Sequence, residues 1–145
     1  MEHHIIARCL LAILCGCQGI ATPVIDLSRT HATNPAWTGH ARFHLVWQVA
    51  TVVLMSLLEV ALIWWPGPYE EQRFYLTVIV TSIPLLAFLI ALIGRKAYDG
   101  ALSDPNGIQP TQLAIFGKII QFDLNQVVVT AALLVLAETL AVYTG

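Results

Sequence analysis

Apolar positions in this chain fall in long blocks, not in the narrow stripes that a water-facing helix shows. Four blocks reach the roughly 20 apolar residues that a membrane-crossing helix needs. They cover about 5–25, 43–65, 74–94 and 119–142. The first carries Arg8 near its start, and Ala12, Gly16 and Gly19 give it a small-residue face for close packing. Its opening, a basic residue followed by Cys9-Leu-Leu-Ala-Ile-Leu-Cys15, has the look of a signal peptide. No small-x-small cleavage pattern follows and the apolar run continues to Ile25, so a retained span is expected.

The second helix is predicted to begin near Ala41, with Thr38 or Gly39 as its cap, and to stop at Pro66-Gly67-Pro68. Trp64, Trp65 and Tyr69 read as an aromatic belt at that membrane surface. Glu70-Glu71-Gln72-Arg73 forms a short wet connection to a third span nearly free of polar side chains, kinked at Pro84. Gly94-Arg95-Lys96 ends it, and 98–110 is a loop rich in Asp, Gly, Asn and Pro. A last helical stretch is predicted from near Thr111 to about Tyr143, its first third lying at or beyond the membrane surface. The pattern therefore gives an all-α polytopic membrane protein, a four-transmembrane-helix bundle in a single domain, 1–145.

Composition agrees with lipid as the main solvent. Of 145 residues 57% are hydrophobic and only 11% charged, against about 25% charged in a soluble domain, and the mean hydropathy is +0.73. Seven scattered basic residues and a net charge of -2 form no patch for nucleic acid. Cys9, Cys15 and Cys17 lie in one apolar run, which leaves no second segment for a disulfide. All three read as small packing or lipid-facing residues. Basic residues set the orientation. Arg8 and Arg73 belong to one surface, while Arg29, Arg42, Arg95, Lys96 and Lys118 belong to the other, which the bias places in the cytoplasm, in a bacterial inner membrane or a eukaryotic endomembrane.

The polar chemistry gathers between the first two spans, in His31-Ala-Thr-Asn34-Pro35-Ala-Trp37-Thr-Gly-His40-Ala-Arg42-Phe-His44-Leu-Val-Trp47-Gln48. Residues 31–39 read as a lid-like loop, 40–48 as the first turns of a helix. At ~100° per residue, His44, Gln48, Met55 and Glu59 form one stripe, and Arg42 points away from it, as a headgroup anchor or a substrate contact. The fourth span opens with its own polar set, in which Asp123, Gln126 and Thr130 share a face. In an antiparallel bundle, Asp26 and the starts of the second and fourth spans meet at one surface. Asp123 is thus the expected partner of His40 and His44, with Asn34, Gln48 and Gln126 as orienting amides and Trp37 beside them. Glu59 and Glu138 sit at comparable depths near the opposite surface and are proton-carrying candidates, because two facing carboxylates would share a proton.

Three uses of the histidines stand open. His40 and His44, one turn apart, could hold a single divalent metal with His31, Asp26 or Asp123 completing the set. They could instead move protons without a metal, as in an isomerase, a cofactor-free oxygenase or a proton-coupled carrier. They could also be structural, satisfying loop carbonyls and lipid headgroups. Five histidines are too few for the boxes of a membrane di-iron oxygenase.

The run Asn34-Pro35-x-Trp37-x-x-His40-Ala41-Arg42-Phe43-His44, with Trp47-Gln48 after it, resembles the signature of a family of uncharacterised short four-span integral membrane proteins. That resemblance implies the fold and no reaction. In size and layout the chain is also similar to the anthrone-oxygenase-like and DoxX-like membrane proteins. It resembles the sterol-isomerase and sigma-2-receptor group in an acidic residue after the first span, here Asp26, and a Pro-x-Trp before the second, here Pro35-Ala-Trp37. That group's acidic residue near the start of the second span is replaced here by His44 and Gln48. The expectation is a small membrane-embedded enzyme or binding protein for an apolar small molecule or lipid. The alternative is a carrier or assembly subunit, as a homo-oligomer or otherwise, in which Glu59 and Glu138 matter most.

Overall fold

In a computed structural model that describes residues 2–145, the chain forms four helices and one β-hairpin. Helix α1 covers Glu2–Asp26, α2 Gly39–Trp64, α3 Glu70–Gly94 and α4 Leu124–Thr144. A single 3₁₀ turn, Arg95–Ala97, extends α3. Each helix is long and apolar enough to cross a membrane. At 1.5 Å per residue even α4, with 21 residues, spans about 31 Å, close to the hydrocarbon thickness of a bilayer. Helices α1, α2 and α3 start three or four residues before the apolar blocks do, because a helix continues into the interfacial layer after its apolar run ends. The structure is an all-α four-helix bundle.

The ends of α2 follow from local chemistry. Thr38 is the N-cap, its hydroxyl accepting from the Ala41 N–H at 3.3 Å. The C-terminus is closed by Arg73 of the next helix, whose guanidinium donates to the carbonyls of Leu62 (3.2 Å), Trp65 (2.8 Å), Gly67 and Pro68. A helix end leaves such carbonyls without partners, and one five-donor side chain satisfies several at once. Gly67 turns there at φ +119, a conformation that favours glycine.

One segment departs from the expected helix. Thr111–Ile115 and Lys118–Phe122 are antiparallel strands β1 and β2, and α4 begins only at Leu124. Ile115 pairs with Lys118, leaving Phe116-Gly117 as a two-residue turn with both φ positive, 49 and 75. Residues 111–122 carry several β-branched residues, which favour strands, and Phe-Gly supplies the turn. Asp123 then caps α4, its Oδ1 accepting from the Gln126 N–H at 3.1 Å.

Helices consecutive in sequence are neighbours around the bundle, with α4 closing back onto α1, so α2 and α4 stand on one diagonal and α1 and α3 on the other. The core is concentrated in the half nearest the termini, where Ala7, Leu11, Ile63, Phe74, Val78, Leu136 and Tyr143 are buried. There Tyr143 stacks on Phe74 with ring centroids 3.7 Å apart. Arg8 lies in the same half, bonded to Glu70 (2.8 Å) and the Ile63 carbonyl and set over the Trp64 ring at 4.9 Å. Toward the other surface burial falls away: in α2 before Met55 only Val49 is buried, and in α3 after Leu85 nothing is.

Candidate functional site

The thin packing in that half leaves a groove of about 800 Å³ between α2 and α3. Its α2 wall is His44, Trp47, Gln48, Thr51, Val52 and Met55, and its α3 wall is Ile83, Pro84, Ala87, Phe88 and Ala91. The spacing on each helix is one stripe of turns three and four residues apart. Nearly every wall residue is apolar. The polar exceptions are His44, Gln48 and Thr51; the Thr51 hydroxyl donates to the Trp47 carbonyl at 3.0 Å, and His44 and Gln48 lie at the end near the surface that carries the histidine loop.

His44 is partnered by His40. Their Nε2 atoms are 3.1 Å apart and the rings meet edge to face, centroids 4.5 Å apart. Both rings are exposed on the bundle surface. Asp123 is not their partner. It belongs to α4, diagonally across from α2, and its carboxylate is committed to the α4 N-cap. The expected convergence of α2 and α4 fails because sharing a membrane surface does not make two helices neighbours. Gln126 stands half-buried on the first turn of α4, where its carbonyl accepts from Thr130 Oγ1 at 2.7 Å.

His31 is held elsewhere. Its Nδ1 meets Thr30 Oγ1 at 2.9 Å, its Nε2 lies 4.0 Å from Asp26 Oδ1, and its ring meets Trp37 edge to face. His31 and Trp37 line a smaller, more polar cavity of about 400 Å³, shared with Asp99, Asp104 and Asn125. No three His, Cys, Asp or Glu side chains among the described residues gather as a metal-holding group. The two Nε2 atoms of the His40–His44 pair are close enough to clasp an ion, and His31, held against Thr30 and Asp26, does not complete the set.

Asn34 is buried, with 2% exposure, and both ends of its amide are bonded. Nδ2 donates to the carbonyls of Asn106 and Thr30, and Oδ1 accepts from the Ala36 N–H at 2.9 Å. It therefore ties the histidine loop to the 98–110 loop, and the loop expected to act as a lid is anchored there. Arg42 is half-buried, with its Nε enclosed and without a partner.

The two membrane carboxylates also part company. Glu59 is buried with 1% exposure, facing Cys15 and Thr81, while Glu138 is exposed on the outside of α4. They do not face each other. Cys15 is buried in the core, unlike the exposed Cys9 and Cys17, and α3 brings two buried hydroxyls, Thr77 and Thr81, into the bundle. The apolar walls on α3 carried no signal in the sequence, since every face of that helix is apolar. No protein-family model, curated protein or solved structure matches this chain.

Proposed function

We propose that this protein binds, and through His44 acts on, an apolar molecule with one polar end, seated in the α2–α3 groove of an integral membrane protein. The observation that carries this reading is the distribution of chemistry along one groove: Trp47, Met55, Ile83 and Phe88 along its length, His44 and Gln48 at one end. Ligand sites are commonly apolar clefts with a few polar groups that fix orientation. This groove opens to lipid, so a lipid or lipid-like molecule enters without crossing water.

At the polar end, Gln48 offers both a donor and an acceptor, and His44 offers a ring nitrogen backed by His40. An imidazole whose neighbour is a second imidazole can give a proton to a ligand oxygen and recover it from behind, which is acid–base chemistry near neutral pH. The basic residues, five at the histidine surface against two at the other, orient that surface to the cytoplasm of a bacterial inner membrane or the cytosolic side of a eukaryotic endomembrane.

Native mass spectrometry of the detergent-purified protein tests the reading. Wild type is expected to retain an apolar adduct, and Ala87→Trp, which fills the groove from its exposed α3 wall, to lose it. The same adduct on both proteins would rule out the groove as its seat.

A further inference from the structure

Glu59 is the one acidic side chain buried among the described residues of the bundle. It leaves α2 five residues before Trp64, yet the Cα–Cβ bonds of a helix tilt toward its N-terminus. The carboxyl is thereby carried toward the middle of the membrane, to Cys15 and Thr81 at the midpoints of α1 and α3. Those two helices stand on a diagonal of the bundle, and polar contacts link them at this level. Cys15 Sγ lies 3.2 Å from Thr81 Oγ1, and Gln18 Nε2 donates to the Thr81 carbonyl at 3.4 Å. Ser56 Oγ donates to the Cys15 carbonyl at 2.6 Å.

Among the described residues no cation meets this carboxyl. The ion pairs among the described residues are Arg8–Glu70 and His31–Asp26, both at the membrane surfaces. The groups facing Glu59 are the Cys15 thiol from α1 and the Thr81 hydroxyl from α3, and Thr139, the buried hydroxyl of α4, bonds to its own Val135 carbonyl at 2.7 Å. An isolated carboxylate in an apolar interior is so costly that the group takes up a proton instead. The acid form supplies one O–H donor and keeps acceptor oxygens, which matches a thiol and a hydroxyl that can each donate or accept.

We infer that Glu59, Cys15 and Thr81 form a proton-binding site at the centre of the bundle, with Glu59 held as the neutral acid. Both walls of the groove run into it: Met55 is one turn before Glu59, and Pro84 one turn after Thr81. Pro84 has no N–H, which leaves the Val80 carbonyl without its helical donor beside that junction. Glu138, exposed on α4, is not part of the site. The site requires no ligand in the groove.

Infrared spectroscopy of the full chain in detergent reads the site directly. At neutral pH the wild type is expected to show the C=O stretch of a protonated carboxylic acid, shifting in heavy water. Glu59→Gln should abolish the band, Glu138→Gln should keep it, and Cys15→Ala and Thr81→Val should each move its frequency as a hydrogen-bond partner is lost. Absence of the band in wild type, or its survival in Glu59→Gln, overturns the site. If Glu59→Gln does not fold, the Cys15→Ala and Thr81→Val spectra decide, and an unmoved band in both overturns it equally.

Discussion

His44 Nε2 and His40 Nε2 are 3.1 Å apart on successive turns of α2, so one ring donates and the other accepts. His44 alone of the two lines the groove. Replacing His44 by Ala should therefore weaken a probe with a polar end by about five- to tenfold, the equivalent of one hydrogen bond of ~1 kcal/mol or slightly more. A purely aliphatic probe should bind His44→Ala as it binds wild type. His40→Ala should change probe affinity less, while lowering any proton-transfer rate. Equilibrium binding of matched probes with and without the polar end checks this, and equal losses for both would assign His44 a packing role only.

Arg73 closes the α2–α3 turn through carbonyls of Leu62, Trp65, Gly67 and Pro68. Lysine retains the charge and lacks the planar fork. Arg73→Lys should lower stability in detergent by about 1–3 kcal/mol, since several helix-end carbonyls lose a charged donor. Glu70→Gln, at an exposed carboxylate, should cost under about 1 kcal/mol. Thermal unfolding of both variants side by side provides the check.

Gly19 of α1 lies against Ser56 of α2, and a Cβ placed there would meet Ser56 Oγ at 2.4 Å and Cβ at 2.7 Å. Gly19→Ala should destabilise the bundle by about 1–3 kcal/mol through overpacking, and Ser56→Gly should restore part of that loss. Gly16→Ala, with open space around it, should be tolerated. A double-mutant cycle measures the coupling.

These contacts show where sequence is informative about this fold and where it is not. Spans, the Pro66-Gly67-Pro68 stop and the Thr38 cap follow from local chemistry, and local chemistry is written in order along the chain. The order of helices around the bundle is not, so His44 could not be separated from Asp123 by pattern alone. A helix apolar on every side also hides which face is inward, which is why Glu59 and Glu138 read alike. Residues 111–122 mislead for another reason: next to a membrane, apolar residues continue through a strand as readily as through a helix, and only the Phe116-Gly117 turn separates the two.

Asn34 is a loop anchor by its bonding, with both amide ends engaged across the 27–38 and 98–110 segments. Asn34→Ala should cost about 1–3 kcal/mol locally, the penalty of unpairing a buried polar group, and should open both loops to protease and to amide hydrogen exchange together. Exchange confined to one loop would contradict the tie.

The α2–α3 groove is proposed to hold an apolar molecule with its polar end at His44. Photo-cross-linking with a photoactivatable fatty acid in membranes, mapped by peptide mass spectrometry, tests it most directly. Labelling is predicted to concentrate on Trp47, Met55 and Phe88 over exposed lipid-facing residues such as Ile13 and Ile20, with loss of that excess in Ala87→Trp. Labelling spread evenly over all exposed apolar faces, unchanged in Ala87→Trp, would contradict it.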